Sequence, residues 1–488
     1  MTAAGLLPGG VEFLRLLPEI LLVLAGTLVM VLEGIGGRWR GPVLARLSLG
    51  ALAAALAATA VAHRHPGPAF SGLAASDGFA TFFRVVVIAA GGLVALFSGP
   101  YLRRESAERG EYYALLLYSV AGQCLMASAA ELIVLFIALE ISSIASYVLA
   151  GYLRSDRRAN EAAVKYFLLG SFATAFLLYG VALIYGATGG TRLADIRQAL
   201  AGPLPAPGAL VAAAAALMFV GFAFKVSAAP FQVWAPDVYQ GAPAPVAAFL
   251  SAGPKAAAFA GLLRVFLTAF EPVSEQWEGI VWASALATMI IGNFAALLQS
   301  NIKRLLAYSS IAHAGYVMVA VAAHSAVGTA AAMFYLAAYV AMNVGAFAVV
   351  SYFARQGERY VNVEDLAGLG WRQPAAAALL SLFLLSLIGV PLTGGFFGKF
   401  YVFKAALEAR LVWLTVLGLL NSAVAAYYYL RVIVVMYMQE PGEAVADLPA
   451  PGPALKATLW ASALATLILG IFPSRVLEFA ASAAALGR

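Results

Sequence analysis

Three charged residues lie inside stretches that otherwise have the composition of membrane helices. Glu140 lies in LIVLFIALEISSIASYVLAGY, Lys225 in LMFVGFAFKVSAAPFQVW and Lys255 in FLSAGPKAAAFAGLLR. A charge at the bilayer centre costs about 3 kcal/mol on insertion scales, so such residues usually face the protein interior, have a partner and have a function. A carboxylate and amines that change partners can pass protons, and proton transfer is the chemistry that we expect.

Glu140 and Lys225 are predicted to form a pair. Glu140 follows a full turn of apolar residues, so its ionised form needs a cation nearby, and Lys225 is the candidate. An opposite charge favours the ionised forms of both groups, whereas burial favours their neutral forms. Breaking the pair should therefore let the lysine pass its proton to a neighbour. The alternative is a fixed ion pair that only locks two helices together.

Two of the apolar stretches are interrupted by proline and small residues, and each carries a lysine. The seventh has Lys225 before Pro230, and the twelfth has Pro391 followed by glycines and Lys399. Proline removes a backbone donor and clashes with the preceding turn, so the freed carbonyls need protein groups or trapped water as partners. A break beside a lysine is a place where water could enter. The alternative is a packing kink whose lysine extends to the membrane surface.

Lys165 and His313 are candidate relay residues. Lys165 follows Glu161 at i+4 near the start of the sixth stretch, a spacing that is common for solvated helix pairs. His313, in SSIAHAGY, lies mid-helix and could carry protons near neutral pH. A lone histidine on an apolar face is more often simply hydrogen-bonded, so that alternative stays open.

The composition is that of a polytopic membrane protein. Of 488 residues, 63% are apolar or aromatic and 11% are charged, whereas a soluble domain has about 25% charged residues. The net charge of +6 could suggest nucleic acid, but the basic residues are scattered through short loops, which cytoplasmic-side bias explains better. Cys124 is the only cysteine, and the four histidines lack metal spacing. We therefore expect no metal, iron–sulfur cluster or other cofactor in this chain.

Apolar stretches long enough to cross a bilayer, about 20 residues each, occur about fourteen times. An even number of crossings places both termini on one side, and lysine and arginine concentrate in the odd-numbered loops, the pattern of cytoplasmic loops. Both termini are therefore predicted to be periplasmic, and Lys303, Arg304 and Arg264, at helix ends, are predicted to be anchors. The stretches centre near Leu24, Ala55, Ile88, Leu117, Ala138, Ala173, Met218, Ala257, Thr288, Met318, Tyr339, Leu385, Leu417 and Leu464.

An internal repeat is indicated by a shared motif and by the paired breaks. Residues 142–145 and 309–312 both spell SSIA, in the fifth and tenth stretches, and the broken seventh and twelfth stretches follow at matching places. Paired broken helices indicate a transporter built from repeats, and an offset of five helices gives the two units opposite topology. The predicted units are helices 1–3 in residues 1–110, the first repeat in 111–270, the inverted second repeat in 271–440, and helix 14 in 441–488.

The run from 112 to 431 resembles a known family. It contains NEAAVKYFLLGSFATAFLLYG, FKVSAAPFQVWAPDVYQGAPAPVAAFLSAGPKAA, QSNIKRLLAYSSIAHAGYVMV and GVPLTGGFFGKFYVF. These long motifs are similar to those of the antiporter-like, proton-translocating membrane subunits of respiratory complex I, the bacterial NADH-quinone oxidoreductase. WAPDVYQGAPAPV, and an end soon after the fourteenth stretch, are most similar to the subunit N family.

The resemblance implies roles for particular residues. Glu140, Lys225, Lys255 and Lys399 match the positions that look like the core of the proton path in that family. Gln232, in PFQVW, departs from the pattern, because relatives commonly have histidine there. A titratable role at this position is therefore not expected.

The resemblance also implies partners and a location. NADH, FMN, iron–sulfur clusters and quinone are expected on partner subunits, and this chain is expected in the membrane arm, in the lipid bilayer of a bacterial inner membrane, without nucleic acid. One alternative is a subunit of a multisubunit Na⁺/H⁺ antiporter or of a membrane-bound hydrogenase, whose chains share these helices. A second alternative is a non-catalytic membrane scaffold with structural ion pairs.

Overall fold

The computed structural model describes residues 9–36, 41–203, 207–446 and 448–484, and these are predominantly α-helical. Within them, β1 (Gly67–Ala69) and β2 (Ala74–Ser76) form a small antiparallel ribbon in which Gly67 pairs with Ser76. The ribbon connects the second and third long helices. The all-α prediction is confirmed.

The helices, in chain order, are α1 (Gly10–Arg15), α2 (Leu17–Ile35), α3 (Gly41–His63), α4 (Gly78–Arg104), α5 (Gly110–Ser128), α6 (Leu132–Ala150), α7 (Arg157–Thr188), α8 (Leu193–Ala201), α9 (Gly208–Val226), α10 (Trp234–Gly241), α11 (Ala244–Arg264), α12 (Glu278–Leu297), α13 (Ile302–Ala322), α14 (Ala326–Phe353), α15 (Leu369–Arg372), α16 (Pro374–Ile388), α17 (Gly394–Glu408), α18 (Val412–Met438), α19 (Glu443–Ala446), α20 (Pro453–Ile471) and α21 (Pro473–Ala483). A π-helical turn, Val265–Ala269, extends α11.

All fourteen predicted centres fall inside helices. Twelve helices in the described part of the chain are long and apolar enough to cross a membrane. The centre near Leu117 falls in α5, which Glu111 and Gln123 make less apolar. The centre near Leu385 falls in α16, which has 15 residues and is therefore shorter than the other twelve. About fourteen membrane helices are therefore present.

The two predicted breaks are also present. α9 ends at Val226, and Pro230 lies in the non-helical segment before α10. α16 ends at Ile388, and Pro391 lies in the segment before α17. The residue that follows α16, Gly389, has φ +97°, a conformation that residues with a Cβ rarely adopt. The local sequence thus determines where this helix stops.

Three helices lie at the centre of the bundle. α11 is buried along its whole length, and α13 and α14 are almost wholly buried. Helices that are apolar on all sides belong in the interior. α7, α18 and α20 instead expose one face. Because Lys255 and His313 belong to α11 and α13, the buried position of these helices takes both side chains away from the lipid.

The element order is the same in the two halves of the chain. A packed hairpin comes first, then a long helix, a broken helix and a final long helix. In the first half these are α5 with α6, α7, α9 with α10, and α11; in the second they are α12 with α13, α14, α16 with α17, and α18.

Candidate functional site

Lys255 lies at the centre of the bundle and bonds to the second half of the chain. It is 2% exposed. Its Nζ donates to the backbone oxygen of Ser310 at 2.9 Å and to the Ser310 hydroxyl. Ser310 belongs to the second SSIA motif, on α13. A lysine from the first half thus meets a hydroxyl from the second half in the middle of the molecule.

Lys399 caps the broken twelfth stretch. Its Nζ donates to the carbonyl oxygens of Leu387 at 3.0 Å and Ile388 at 2.8 Å, and to the Ser422 hydroxyl at 2.7 Å. These carbonyls end α16, where no further helical turn satisfies them. The predicted need for partners at this break is met by the lysine itself.

A cavity adjoins Lys399 on the outer side of the bundle. It has a volume of about 650 Å³, and its lining includes Phe400 and Leu419. Both of these side chains are about half exposed at the surface of the chain. The Lys399 amine therefore lies between the buried interior and a cavity that reaches the apolar surface.

Lys225 is surrounded by aromatic rings. It is 9% exposed, and its Nζ donates to the Tyr147 hydroxyl at 3.2 Å. The same atom lies 4.9 Å from the centroid of the Tyr147 ring and 5.3 Å from that of Tyr166.

The expected ion pair between Glu140 and Lys225 is not formed in this conformation. No ion pair of 4.0 Å or less joins the two side chains in the described part of the chain, where the Lys225 amine bonds to Tyr147 and Glu140 Oε1 is buried without a hydrogen-bond partner. The physical reason is that the ammonium faces the tyrosine rings instead. Glu140 lies at the edge of the outer face of α6, beside the exposed Ile137 and Ile141.

His313 connects the surroundings of the two buried lysines. It is 2% exposed, and its ring nitrogens are hydrogen-bonded to the hydroxyls of Tyr335 at 2.6 Å and Tyr429 at 3.2 Å. Its ring lies 5.6 Å from that of Tyr316, over which Lys399 Nζ lies at 4.8 Å. Because Ser310, the partner of Lys255, precedes His313 by three residues on α13, the histidine lies between Lys255 and Lys399.

Lys165 lies outside this buried group. Its side chain is 41% exposed and forms the predicted ion pair with Glu161 at 2.7 Å. It also pairs with Asp237 at 2.8 Å, and Asp237 pairs in turn with Arg304 at 2.6 Å. Glu161, Lys165 and Asp237 line a cavity of about 200 Å³. Asp237 was missed by sequence reasoning, although it follows the first break directly.

The first break receives its partners from two different helices. The Trp234 indole donates to the Phe224 carbonyl at 2.9 Å. The Thr288 hydroxyl, on α12, accepts from the Ala229 amide at 2.8 Å. Gln232, at the position that departs from the family pattern, has a buried side-chain oxygen without a partner.

Three buried cations have carboxylate partners that the sequence did not indicate. Lys303, expected to be an anchor, is fully buried and pairs with Glu358 at 2.6 Å. Arg84 is fully buried and pairs with Glu19 at 2.7 Å. Arg264, the other expected anchor, is 6% exposed and pairs with Asp77 at 2.7 Å. The sequence shows the three carboxylates but not which cation each one contacts, because the partners are 55 to 187 residues apart in the sequence.

No group of three or more His, Cys, Asp or Glu side chains in the described ranges could hold a metal ion. Cys124 is free and buried.

Comparisons with known proteins agree with this arrangement. The model of the family described as NADH:quinone oxidoreductase/Mrp antiporter, TM, matches residues 129–425. NADH-quinone oxidoreductase subunit N 1 of Solibacter usitatus is 64% identical over 475 residues, 97% of each chain. NADH-quinone oxidoreductase subunit N of Trichlorobacter lovleyi is 46% identical over 96% of each chain.

Solved structures show the same fold. A chain of respiratory complex I from Thermus thermophilus with bound aureothin is 36% identical, with a TM-score of 0.82 over 95% of this chain and 99% of that one. A chain of the Mrp complex from Dietzia sp. is 23% identical, with a TM-score of 0.85 over 97% of each chain, and shares the fold.

Proposed function

The chain belongs to the NADH-quinone oxidoreductase subunit N family, and on that premise we propose that Glu140, Lys225, Lys255 and Lys399 carry protons across the membrane. The chain acts as an antiporter-like membrane subunit that couples electron transfer from NADH to quinone to proton pumping. The observation that carries the assignment is a set of buried lysines in membrane helices, two of which His313 connects. An intramembrane ionisable residue that faces the interior is a functional candidate by default.

The partners of the three lysines support transfer. In the described chain, Lys225, Lys255 and Lys399 have hydroxyls, carbonyls or rings as partners and no carboxylate within 4.0 Å. In this conformation, none of the three lysines would leave a paired carboxylate uncompensated by losing its proton. Breaking a buried ion pair in that way is strongly destabilising.

Protons are proposed to pass from Lys255 to Lys399 by way of His313. Ser310 accepts from the Lys255 amine, and Tyr335 and Tyr429 hold the two imidazole nitrogens. Neutral imidazole has one donor and one acceptor nitrogen, so it can receive a proton on one side and release it on the other. Lys225 lies on α9, which packs against α11, but no hydrogen bond in the described chain joins it to Lys255.

Glu140 and Lys165 are proposed to act at the start of this path. In a second conformation the Lys225 amine pairs with Glu140, whose free oxygen is already buried. Lys165 lines the cavity of about 200 Å³ and exchanges protons with water there. Its carboxylate partners suit either this role or a purely structural one.

The wider assignments rest on the family for partners and cofactors, and on loop charge and the paired breaks for the orientation and the repeats. We infer that the other membrane-arm subunits of the enzyme are partners, that the chain lies in a bacterial inner membrane, and that both termini are periplasmic. NADH, FMN, iron–sulfur clusters and quinone are assigned to partner subunits, and no redox centre to this chain. Residues 111–270 and 271–440 are proposed to be the two inverted repeats, which residues 1–110 precede and helix 14, in 441–488, follows.

The test is substitution of Lys225 by alanine in the assembled enzyme. Purified enzyme is placed in liposomes, and proton movement per NADH oxidised is measured with a pH-sensitive dye. Pumping should fall strongly while the particle keeps its size. Lys456→Ala is the matched control, because Lys456 is exposed at the start of α20, a helix that carries none of the residues proposed for proton transfer. Full pumping by the Lys225 variant would refute the proposed role.

The same preparation distinguishes the alternatives. A particle without NADH-oxidising partners would indicate an Na⁺/H⁺ antiporter or hydrogenase subunit, which the family description and the Mrp fold accommodate. A scaffold predicts that neutralising Glu140 and Lys225 together leaves activity intact.

A further inference from the structure

We propose that the rings of Tyr147, Tyr166 and Phe224 form a cage that holds the Lys225 ammonium away from Glu140. The proposal rests on the role proposed above for Lys225. In this proposal the three ring residues position the Lys225 amine for proton transfer. The amine has two alternative positions, one inside the cage and one beside the Glu140 carboxylate.

The distances are those of cation–π contacts. Lys225 Nζ lies 4.9 Å from the ring centroid of Tyr147, 5.3 Å from that of Tyr166 and 5.8 Å from that of Phe224. A cation within about 6 Å of a ring centroid is attracted by the negative face of the ring, and the attraction is larger where water is excluded. All three ring centroids lie within this distance of the Lys225 amine.

Lys225 depends on the rings more than the other two lysines do. Its amine makes one hydrogen bond, to Tyr147. The Lys255 amine makes two and the Lys399 amine makes three. An ammonium has three donors, so the Lys225 amine is the least tied by hydrogen bonds. It is therefore the one that can move most easily to another partner.

The cage is held rigidly by its own packing. The Tyr166 ring stacks on that of Trp234 at 4.4 Å and 11°, and the Tyr147 ring meets Tyr166 edge-on at 4.6 Å. The Trp234 indole is fixed by its bond to the Phe224 carbonyl. Gly170 leaves space for the Tyr147 hydroxyl, because a Cβ there would lie 2.2 Å from it. The cage therefore stays in place when the lysine leaves.

The protonated lysine is attracted by both places, and the relative strength of the two attractions decides where it lies. The rings attract an ammonium and have no comparable attraction for a neutral amine. The buried free oxygen of Glu140 offers the competing partner. A weaker cage therefore leaves the protonated lysine on the carboxylate for longer, so its return to the rings, and with it pumping, becomes slower.

The test weakens the cage without changing its shape. Position 166 is suited to this, because no hydrogen bond of its hydroxyl is seen in the described chain. Tyr166→Phe is made first, and phenylalanine with one, two or three ring fluorines is then incorporated at the same site. Each fluorine withdraws electron density from the ring face and changes the size little. The pumping rate should fall stepwise, with its logarithm linear in the number of fluorines and a total decrease of roughly three- to thirtyfold.

The control is the same fluorine series at Tyr112, a buried tyrosine whose ring neighbours are tyrosines and not cations. Tyr112→Phe itself loses the buried hydrogen bond to Ser98, so the fluorinated variants are compared with Tyr112→Phe, and the fluorines should leave pumping unchanged relative to it. A flat series at position 166, or an equal decrease at position 112, would overturn the cage. If Lys225→Ala pumps fully, the proposed function itself fails. If that variant loses pumping while the fluorine series is flat, only the cage is refuted.

Discussion

The buried ion pair between Lys303 and Glu358 should determine how firmly the start of α11 is held. The Lys303 Nζ donates to Glu358 Oε2 and to the Ala242 carbonyl, both at 2.6 Å. Glu358 Oε1 accepts from the Tyr101 hydroxyl and from the Ala244 amide, both at 2.8 Å. The pair therefore joins the end of α10 to the beginning of α11, the helix that carries Lys255.

Substituting Glu358 by alanine removes the carboxylate and leaves Lys303, which is 0% exposed, without a counter-charge. Removing one member of a buried pair costs about 3–5 kcal/mol, and about 1.4 kcal/mol corresponds to a tenfold change in an equilibrium. The local opening of the first turn of α11 should therefore become roughly a hundredfold or more easier. The measurement is hydrogen–deuterium exchange by mass spectrometry on the purified enzyme, in a peptide that covers residues 242–250.

Three comparisons test the assigned role of this ion pair. A peptide covering residues 412–420, in α18, should exchange at the wild-type rate. The double variant with Lys303→Met and Glu358→Met should recover part of the protection, because it leaves no unpaired charge. Lys404→Met, which breaks the exposed pair with Glu408, should have little effect. Wild-type exchange in the Glu358 variant, or no recovery in the double variant, would contradict the assigned role.

Two further substitutions test the second break and the N-terminal helices. Gly395→Ala places a Cβ 1.8 Å from the Ser386 carbonyl oxygen, so α16 and α17 must separate. Size-exclusion chromatography should then show less assembled enzyme. Normal assembly and pumping would contradict this close packing. Glu19→Ala leaves Arg84, which is 0% exposed, without its carboxylate. It should lower the thermal midpoint of the enzyme by several degrees, whereas Glu408→Ala should not, and an unchanged midpoint would show that the pair is dispensable.

Local features of the chain could be predicted from the sequence because their causes are local. Apolar stretches of about 20 residues become helices, and all fourteen predicted centres lie in helices. Pro230 and Pro391 stop helices through their own geometry, and Gly389 supplies a conformation that other residues avoid. Neither conclusion requires knowing what lies beside the residue in space.

The partners of the charged residues could not be predicted in the same way. Lys225 and Glu140 were paired on the basis of charge alone, but the space around the amine is filled by rings from α6 and α7. Lys303 looked like an interfacial anchor because it stands beside Arg304 at a helix start. It is buried because the segment after α14 folds over it and brings Glu358 into contact. Both outcomes depend on contacts between residues far apart in the sequence.

The kind of partner separates two classes of buried cation in this molecule. Arg84 and Lys303 each have a carboxylate, so removing the charge from either would leave an uncompensated anion. Lys255 and Lys399 have only carbonyls and hydroxyls, which can accept from an ammonium and can also remain beside a neutral amine. A buried lysine of the second class can lose a proton without leaving a buried carboxylate unpaired, which favours it for proton transfer. Burial alone therefore does not identify the residues that move protons, whereas burial without a carboxylate partner does. Lys225 has this property while its amine faces the rings. It loses the property when it pairs with Glu140.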